Sequence, residues 1–216
     1  MYYGPSILIA AGVKVNGLDE EESALLLNIP LAVVNMIGTL ISCFVIDRFG
    51  RRYIILRTMP GAFVGWMTVS GGMLLTLSPY TAEIGSYVSF TGILIFLLFY
   101  ATGMSSTPWT INAEIYPLHV IGTANSLSTT TNWVSNFVVA SIFLLALQTD
   151  TGKVISFLVL AFMAVGTWVF VYFLVPETAK KSIDEILRDI LGENYQKDHS
   201  KVVETPDDSN IEETRE

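Results

Sequence analysis

The sequence predicts an all-α membrane protein, and two observations support this fold class. Of the 216 residues, 51% are hydrophobic and only 15% are charged, whereas soluble domains typically hold about 25% charged residues. The charges are also unevenly placed, because residues 177–216 hold twelve of the twenty acidic and six of the twelve basic residues. Residues 1–176 therefore predict a transmembrane bundle. They carry no basic face, so nucleic acid is not expected as a partner.

Five apolar stretches are long enough to cross a bilayer as helices, which takes about 20 residues each. A sixth stretch, 1–13, is apolar but too short to cross, so it predicts a partial span. None of the five has an ionisable side chain in its interior. The predicted spans lie at about 24–46, 58–77, 88–113, 124–147 and 154–176.

The basic residues predict the orientation of the bundle in the membrane. Ten of the twelve lie either in the loop 47–57 or in the tail from 177 onward. Placing both in the cytoplasm puts the acidic run at 19–22 outside. The C-terminus is then cytoplasmic.

The tail divides into two parts. Ser182 and Glu185 form a capping box, and apolar residues then recur at helical spacing, so 177–192 predicts a short amphipathic helix at the cytoplasmic surface. Residues 193–216 are polar and acidic, which predicts disorder.

One predicted span carries a stripe of neutral polar side chains. Asn125, Thr129, Asn132 and Asn136 fall on one face of the span 124–147. Such groups would be unsatisfied in lipid, so they face other helices or a wet cavity. Two readings stay open: a hydrogen-bonded seam between helices, or a surface that binds a polyol through amide donors and acceptors.

A helix break is predicted in the span 88–113, where Gly103, Pro108 and Trp109 occur together. Broken helices that line a cavity recur in transporters, and the indole of Trp109 could lie on a sugar ring. Asn35 is a lone amide in the first complete span, and taken singly it is ambiguous.

Five motifs, in order along the chain, resemble those of the sugar porters of the major facilitator superfamily. The resemblance covers nearly all of 1–186. It implies the C-terminal six-helix bundle of a major facilitator fold, with its first helix truncated. The motifs are Met1-Tyr2-Tyr3, Asp47-Arg48-Phe49-Gly50-Arg51-Arg52, Pro108 to Pro117, Asn132-Trp133 with Asn136, and Pro176-Glu177-Thr178.

The resemblance also implies roles for individual residues, in three groups. Substrate-contacting positions are Asn35, Trp109, Asn132 and Asn136. The outer gate is Tyr2 and Tyr3, and the cytoplasmic charge network that latches the outward-open state is Asp47, Arg51, Arg52, Glu114 and Glu177.

Within that family the chain is most similar to the proton-coupled myo-inositol branch, through Gly103-Met104 and the segment from Pro108 to Leu118. Glucose facilitators place a substrate-binding glutamate eight residues before the tryptophan, where this chain has Ala101. The resemblance therefore favours myo-inositol or another polyol over glucose as the substrate.

Two departures from the family pattern stand out. The arginine usually found seven residues after the glutamate is Ile121 here, so Glu114 is expected to lack one partner. The family's substrate-binding glutamine pair lies upstream of the Tyr-Tyr pair, before Met1. Since no carboxylate lies inside a span, a proton carrier would also belong to an N-terminal six-helix half.

The preferred hypothesis is therefore that the chain is part of a plasma-membrane transporter of a sugar or polyol. The full-length transporter would be proton-coupled and work by alternating access. The alternative is a truncated, non-transporting protein that binds or modulates a full-length porter. An enzyme is not favoured, because the two histidines, His119 and His199, lie outside the spans. No metal or cofactor is expected, and the single cysteine, Cys43, excludes an intrachain disulfide.

Overall fold

The computed structural model describes residues 7, 9, 17, 19–117 and 120–191, and every regular element within these ranges is a helix. The helices follow one another with short connections, as an antiparallel bundle requires. In chain order they are α1 (Glu20–Phe49), α2 (Arg51–Leu75), α3 (Ala82–Met104), α4 (Thr107–Glu114), α5 (Ile121–Ala146), α6 (Asp150–Leu174) and α7 (Ile183–Leu191).

Four segments of the described chain are long and apolar enough to span a membrane: Glu21–Ile46, Ala82–Glu114, Ile121–Ala146 and Asp150–Leu174. The second of these combines α3 and α4. Helix α2, where the sequence predicts a span at 58–77, has 25 residues and is long enough to cross. It falls outside the four because glycine, serine and threonine replace larger apolar residues along it.

Those small residues let α2 pack closely against its neighbours at the centre of the bundle. A Cβ placed on Gly72 would lie 2.6 Å from the amide nitrogen of Ser89 on α3. Close approach of this kind allows dispersion contacts, which hold membrane helices together in the absence of a hydrophobic driving force. Beside it, Val69, Met73 and Phe157 form a buried cluster that joins α2 to α6.

The predicted helix break is present between α3 and α4, at Ser105 and Ser106. Pro108 lies in the first turn of α4, where its missing N–H would have no helical acceptor in any case. The hydroxyl of Ser106 lies 3.0 Å from that of Ser42 on α1. The break is therefore linked to a second helix by a hydrogen bond.

Helix α5 is the least covered element of the described bundle. None of its residues from Ile121 to Ala146 is buried. Many of its apolar residues, and the amides Asn132 and Asn136, are exposed, so much of its circumference is available to lipid or to another helical unit.

The predicted capping box at the start of α7 is confirmed. The Ser182 amide donates to Oε2 of Glu185 at 2.8 Å, and the Glu185 amide donates to the Ser182 hydroxyl at 3.3 Å. Ile186 and Leu187 are buried, so the apolar side of this short helix packs against the protein. The acidic tail predicted at 193–216 lies outside the described residues.

Candidate functional site

The polar stripe of α5 begins with a direct link to α4. Nδ2 of Asn112 donates to Oδ1 of Asn125 at 2.8 Å. Nearby, the Tyr116 hydroxyl lies 3.2 Å from that of Ser128. At this end of α5, therefore, the stripe forms a seam between helices.

Further along α5 the stripe has no such partner. Asn132 and Asn136 are both exposed, and the hydrogen bond between them runs from Nδ2 of Asn136 to the Asn132 carbonyl at 3.2 Å. Within the described ranges, the Asn132 side chain makes no hydrogen bond. An amide offers two donors and an acceptor that takes up to two hydrogen bonds, so Asn132 retains its full capacity for a hydroxyl-rich molecule.

Trp109 and Asn35, the other two predicted substrate contacts, lie on α4 and α1. Trp109 is 48% exposed, although it belongs to an apolar segment in which large rings usually pack. Asn35 is half-buried, and its carbonyl accepts from the Thr39 hydroxyl at 2.9 Å. No hydrogen bond joins these residues to Asn132 in the part of the chain that the structure describes.

Ala101 occupies a position with no room for a longer side chain. It is fully buried on α3, and a Cβ placed on Gly38 of α1 would lie 2.6 Å from the Ala101 Cβ. The two helices approach closely at this point. A glutamate at position 101 would require α1 to move away, so this packing is incompatible with the residue that the resemblance places there in glucose facilitators.

The charged side chains at the other end of the site are centred on Arg51. Its Nη2 lies 2.9 Å from Oε1 of Glu114, and both side chains are largely shielded, at 15% and 28% exposure. Oε2 of Glu114 is buried with no hydrogen-bond partner in the described chain. Ile121, which stands where the resemblance places an arginine, offers no side-chain donor to that oxygen.

Glu177 follows α6 in the sequence, and its side chain lies at the N-terminus of α2. Its Oε1 accepts from the amide of Arg51 at 2.8 Å, and its Oε2 accepts from the amide of Tyr53 at 3.3 Å. A carboxylate here satisfies amides that lack helical acceptors and favourably meets the positive end of the helix dipole. Gly50 makes this approach possible, because a Cβ there would lie 2.6 Å from the same Oε2 and its φ is 92°.

Arg52 is directed toward α6. Its Nη2 donates to the Tyr172 carbonyl at 2.5 Å, and its guanidinium lies 5.9 Å from the centre of the Tyr172 ring. The structure thus brings Arg51, Glu114 and Glu177 together at the start of α2, whereas the side chain of Arg52 contacts α6. Asp47 lies in the last turn of α1, but its side chain, like Tyr2 and Tyr3, falls outside the described residues.

One contact was not predicted from the sequence. The indole Nε1 of Trp168 donates to the Leu56 carbonyl at 3.0 Å, and Leu56 lies four residues before Pro60. Because proline has no N–H, that carbonyl lacks its usual helical donor. Pro60 indicates from the sequence that the Leu56 carbonyl lacks a helical donor. No local pattern indicates that Trp168 supplies the missing donor.

Groups of three or more metal-ligating side chains are absent from the described residues. The candidate site therefore consists of neutral amides and an aromatic ring on α1, α4 and α5, with a charge network at the start of α2.

The sequence profile of the family described as "Sugar (and other) transporter" matches residues 1–190. The facilitated glucose transporter member 2 of solute carrier family 2 from Rattus norvegicus is 34% identical over 86% of this chain and 33% of its own length. Myo-inositol transporter 1 of Saccharomyces cerevisiae is 30% identical over 86% of the chain and 32% of its own length.

A solved structure shares the fold. The proton:xylose symporter XylE of the major facilitator superfamily, bound to 6-bromo-6-deoxy-D-glucose, matches with a TM-score of 0.70 and 21% identity, over 88% of this chain and 38% of that one. The chain spans about a third of the length of the curated relatives that it matches.

Proposed function

The chain belongs to the sugar transporter family of the major facilitator superfamily, as part of the C-terminal half of the fold, and we propose that it contributes that half to a transporter of a sugar or polyol. Its family consists of multi-pass membrane transporters. In such folds the substrate is held between two helical halves that rock against each other.

The observation that supports this proposal is the exposed amide pair on α5. Asn132 and Asn136 lie on a helix with no buried residue that is long and apolar enough to span a membrane, where unsatisfied amides are costly. A second helical half facing α5 would enclose them together with a polar substrate. Trp109 and Asn35 would complete the wall from α4 and α1.

We propose that the charge network does not bind substrate but holds one face of the transporter closed. Arg51, Glu114 and Glu177 join the start of α2 to α4 and to the segment after α6. Partly shielded ion pairs of this kind are strong enough to hold a conformation and can still be broken in a cycle. The density of basic residues at this end supports a cytoplasmic location, with the C-terminus on the same side. The plasma membrane is part of the proposal.

The substrate that we propose is myo-inositol or a related polyol. Support comes from the yeast myo-inositol relative and from the tight α1–α3 contact at Ala101. A glucose transporter of similar sequence identity is also a relative. Uptake of myo-inositol therefore has to be compared directly with uptake of glucose. Proton coupling would use a carboxylate of the facing half, because the described spans hold carboxylates only near their ends.

Co-expression with the N-terminal part of the yeast myo-inositol relative, up to the residue that aligns with Met1 of this chain, tests the proposal. We expect labelled myo-inositol to enter proteoliposomes that contain both halves, with weaker competition by glucose than by unlabelled myo-inositol. The chain alone should give no uptake. Two halves that co-purify and insert, yet transport none of these solutes, would contradict the proposal.

A further inference from the structure

A groove on the outer surface of the bundle lies between α2 and α6, away from the amides of α5. It encloses about 200 Å³ and is lined by apolar groups: Met59, Pro60, Phe63, Ala164, Val165 and Trp168. Such a groove would be filled by an apolar molecule, since its walls offer no polar partner for water.

The walls of the groove are held in place by the contact between Trp168 and Leu56. The indole N–H bonds the Leu56 carbonyl at 3.0 Å, which fixes the ring against α2 one turn before Pro60. The groove is therefore preformed, and an occupant does not have to order these side chains on binding.

One end of the groove is positively charged. Arg57 is exposed and lies one turn before Pro60 on α2, with its guanidinium 5.2 Å from the centre of the Tyr53 ring. On the α6 side, Tyr172 stacks on Trp168 at 5.5 Å between ring centres, and the Arg52 guanidinium lies 5.9 Å from the Tyr172 ring. Two guanidinium groups thus flank the same end.

No carboxylate neutralises Arg57 in the part of the chain that the structure describes. Among the described residues, two acidic side chains contact this end of α2. Glu114 is paired with Arg51, and the oxygens of Glu177 already accept backbone amides. An anion next to Arg57 would therefore meet an unpaired guanidinium.

We propose that this groove binds one acyl chain of an anionic phospholipid, whose headgroup phosphate lies beside Arg57. An apolar slot with a cationic end matches an amphiphile that carries its negative charge at one end. Tyr53 and Tyr172 lie in the end turns of α2 and α6, and aromatic rings are enriched at the ends of membrane-spanning helices. By the distribution of basic residues, the lipid belongs to the cytoplasmic leaflet.

Native mass spectrometry of the full chain in detergent, with equal amounts of phosphatidylglycerol and phosphatidylcholine of the same acyl composition, tests this site. We expect preferential retention of phosphatidylglycerol. Arg57→Gln should lower that preference roughly fivefold, the scale of one basic residue near an anionic headgroup. Arg48→Gln is the matched control, since Arg48 is exposed on α1, a helix that contributes no residue to the groove, and it should leave the preference unchanged.

A second pair of variants tests the groove itself. Val165→Trp fills the groove and should reduce the retention of both lipids. Val169→Trp, at a site of similar exposure on the same helix (42% against 40%) but outside the lining, should leave it intact. Equal retention of the two lipids by the unmodified chain, or an equal loss with Arg48→Gln and Arg57→Gln, would overturn the proposal. So would equal effects of the two tryptophan variants.

Discussion

The indole N–H of Trp168 donates to the backbone carbonyl of Leu56, the oxygen that Pro60 leaves without a helical donor. The two residues are 112 positions apart in sequence, so a defect in one helix is satisfied by a side chain of another. In a bilayer there is no water to take that role. The bond therefore couples the conformation of α2 to the packing of α6.

A double-mutant cycle measures this coupling. Trp168→Phe keeps the ring but leaves the Leu56 carbonyl unsatisfied, and we expect it to lower the free energy of unfolding by about 1 kcal/mol. In a Pro60→Ala background the alanine N–H can bond that carbonyl, so the same substitution should cost much less. Unfolding in mixed SDS micelles, followed by circular dichroism, gives the four values. An equal cost of Trp168→Phe in both backgrounds would contradict the coupling.

Features that depend on neighbouring residues could be predicted from the sequence. The break near Pro108 and the cap formed by Ser182 and Glu185 are both present, because a missing N–H and a three-residue spacing act locally. The pairing of Trp168 with Leu56 could not be predicted, since no local pattern identifies the donor.

The amide stripe shows a second limit of sequence reasoning. Its four members have the same helical periodicity, yet Asn125 bonds Asn112 while Asn132 stays exposed. What separates them is the position of α4, whose hydrogen bond to α5 lies near the start of that helix, at Asn125. Periodicity reports the face of a helix but not how far a neighbour extends along it.

Gly50→Ala is expected to destabilise the chain far more than Gly17→Ala. Both glycines have positive φ, 92° and 89°, which disfavours any other residue. Only at Gly50 would the new Cβ also displace the Glu177 carboxylate from the α2 amides, whereas a Cβ on Gly17 would meet no described atom within 4 Å. We expect Gly50→Ala to cost about 2 kcal/mol more in the free energy of unfolding. Similar costs would mean that Glu177 does not stabilise α2.

Glu114→Gln should lower the free energy of unfolding by about 1–3 kcal/mol, because the ion pair with Arg51 is replaced by a weaker bond to a neutral amide and the Arg51 charge is left without its counter-ion in a largely shielded position. The matched control is Glu83→Gln in the first turn of α3, where the side chain is exposed and makes no ion pair with the described residues. That change should stay within about 0.5 kcal/mol. If the two variants are equally stable, the contact with Arg51 contributes little to the folded state.

Trp109→Ala should weaken substrate binding by about 1–3 kcal/mol in a transporter that holds both halves, as for other aromatic anchors. Trp109→Phe keeps a ring face without the indole N–H, and it should recover part of the loss. Equilibrium binding of labelled myo-inositol gives the affinities directly. An alanine variant with unchanged affinity would place this ring outside the substrate cavity.

Asn132→Leu should impair uptake more than Ser141→Leu on the same helix. The Asn132 side chain is exposed and makes no hydrogen bond within the described part of the chain, whereas the Ser141 hydroxyl already donates to the Phe137 carbonyl at 2.8 Å. Leucine suits lipid at either position, so a loss confined to position 132 points to a lost substrate contact. Initial rates of myo-inositol uptake, normalised to the amount of inserted protein, make the comparison. Equal losses would mean that the exposed amides of α5 serve only to pack against the facing half, and that substrate binds elsewhere.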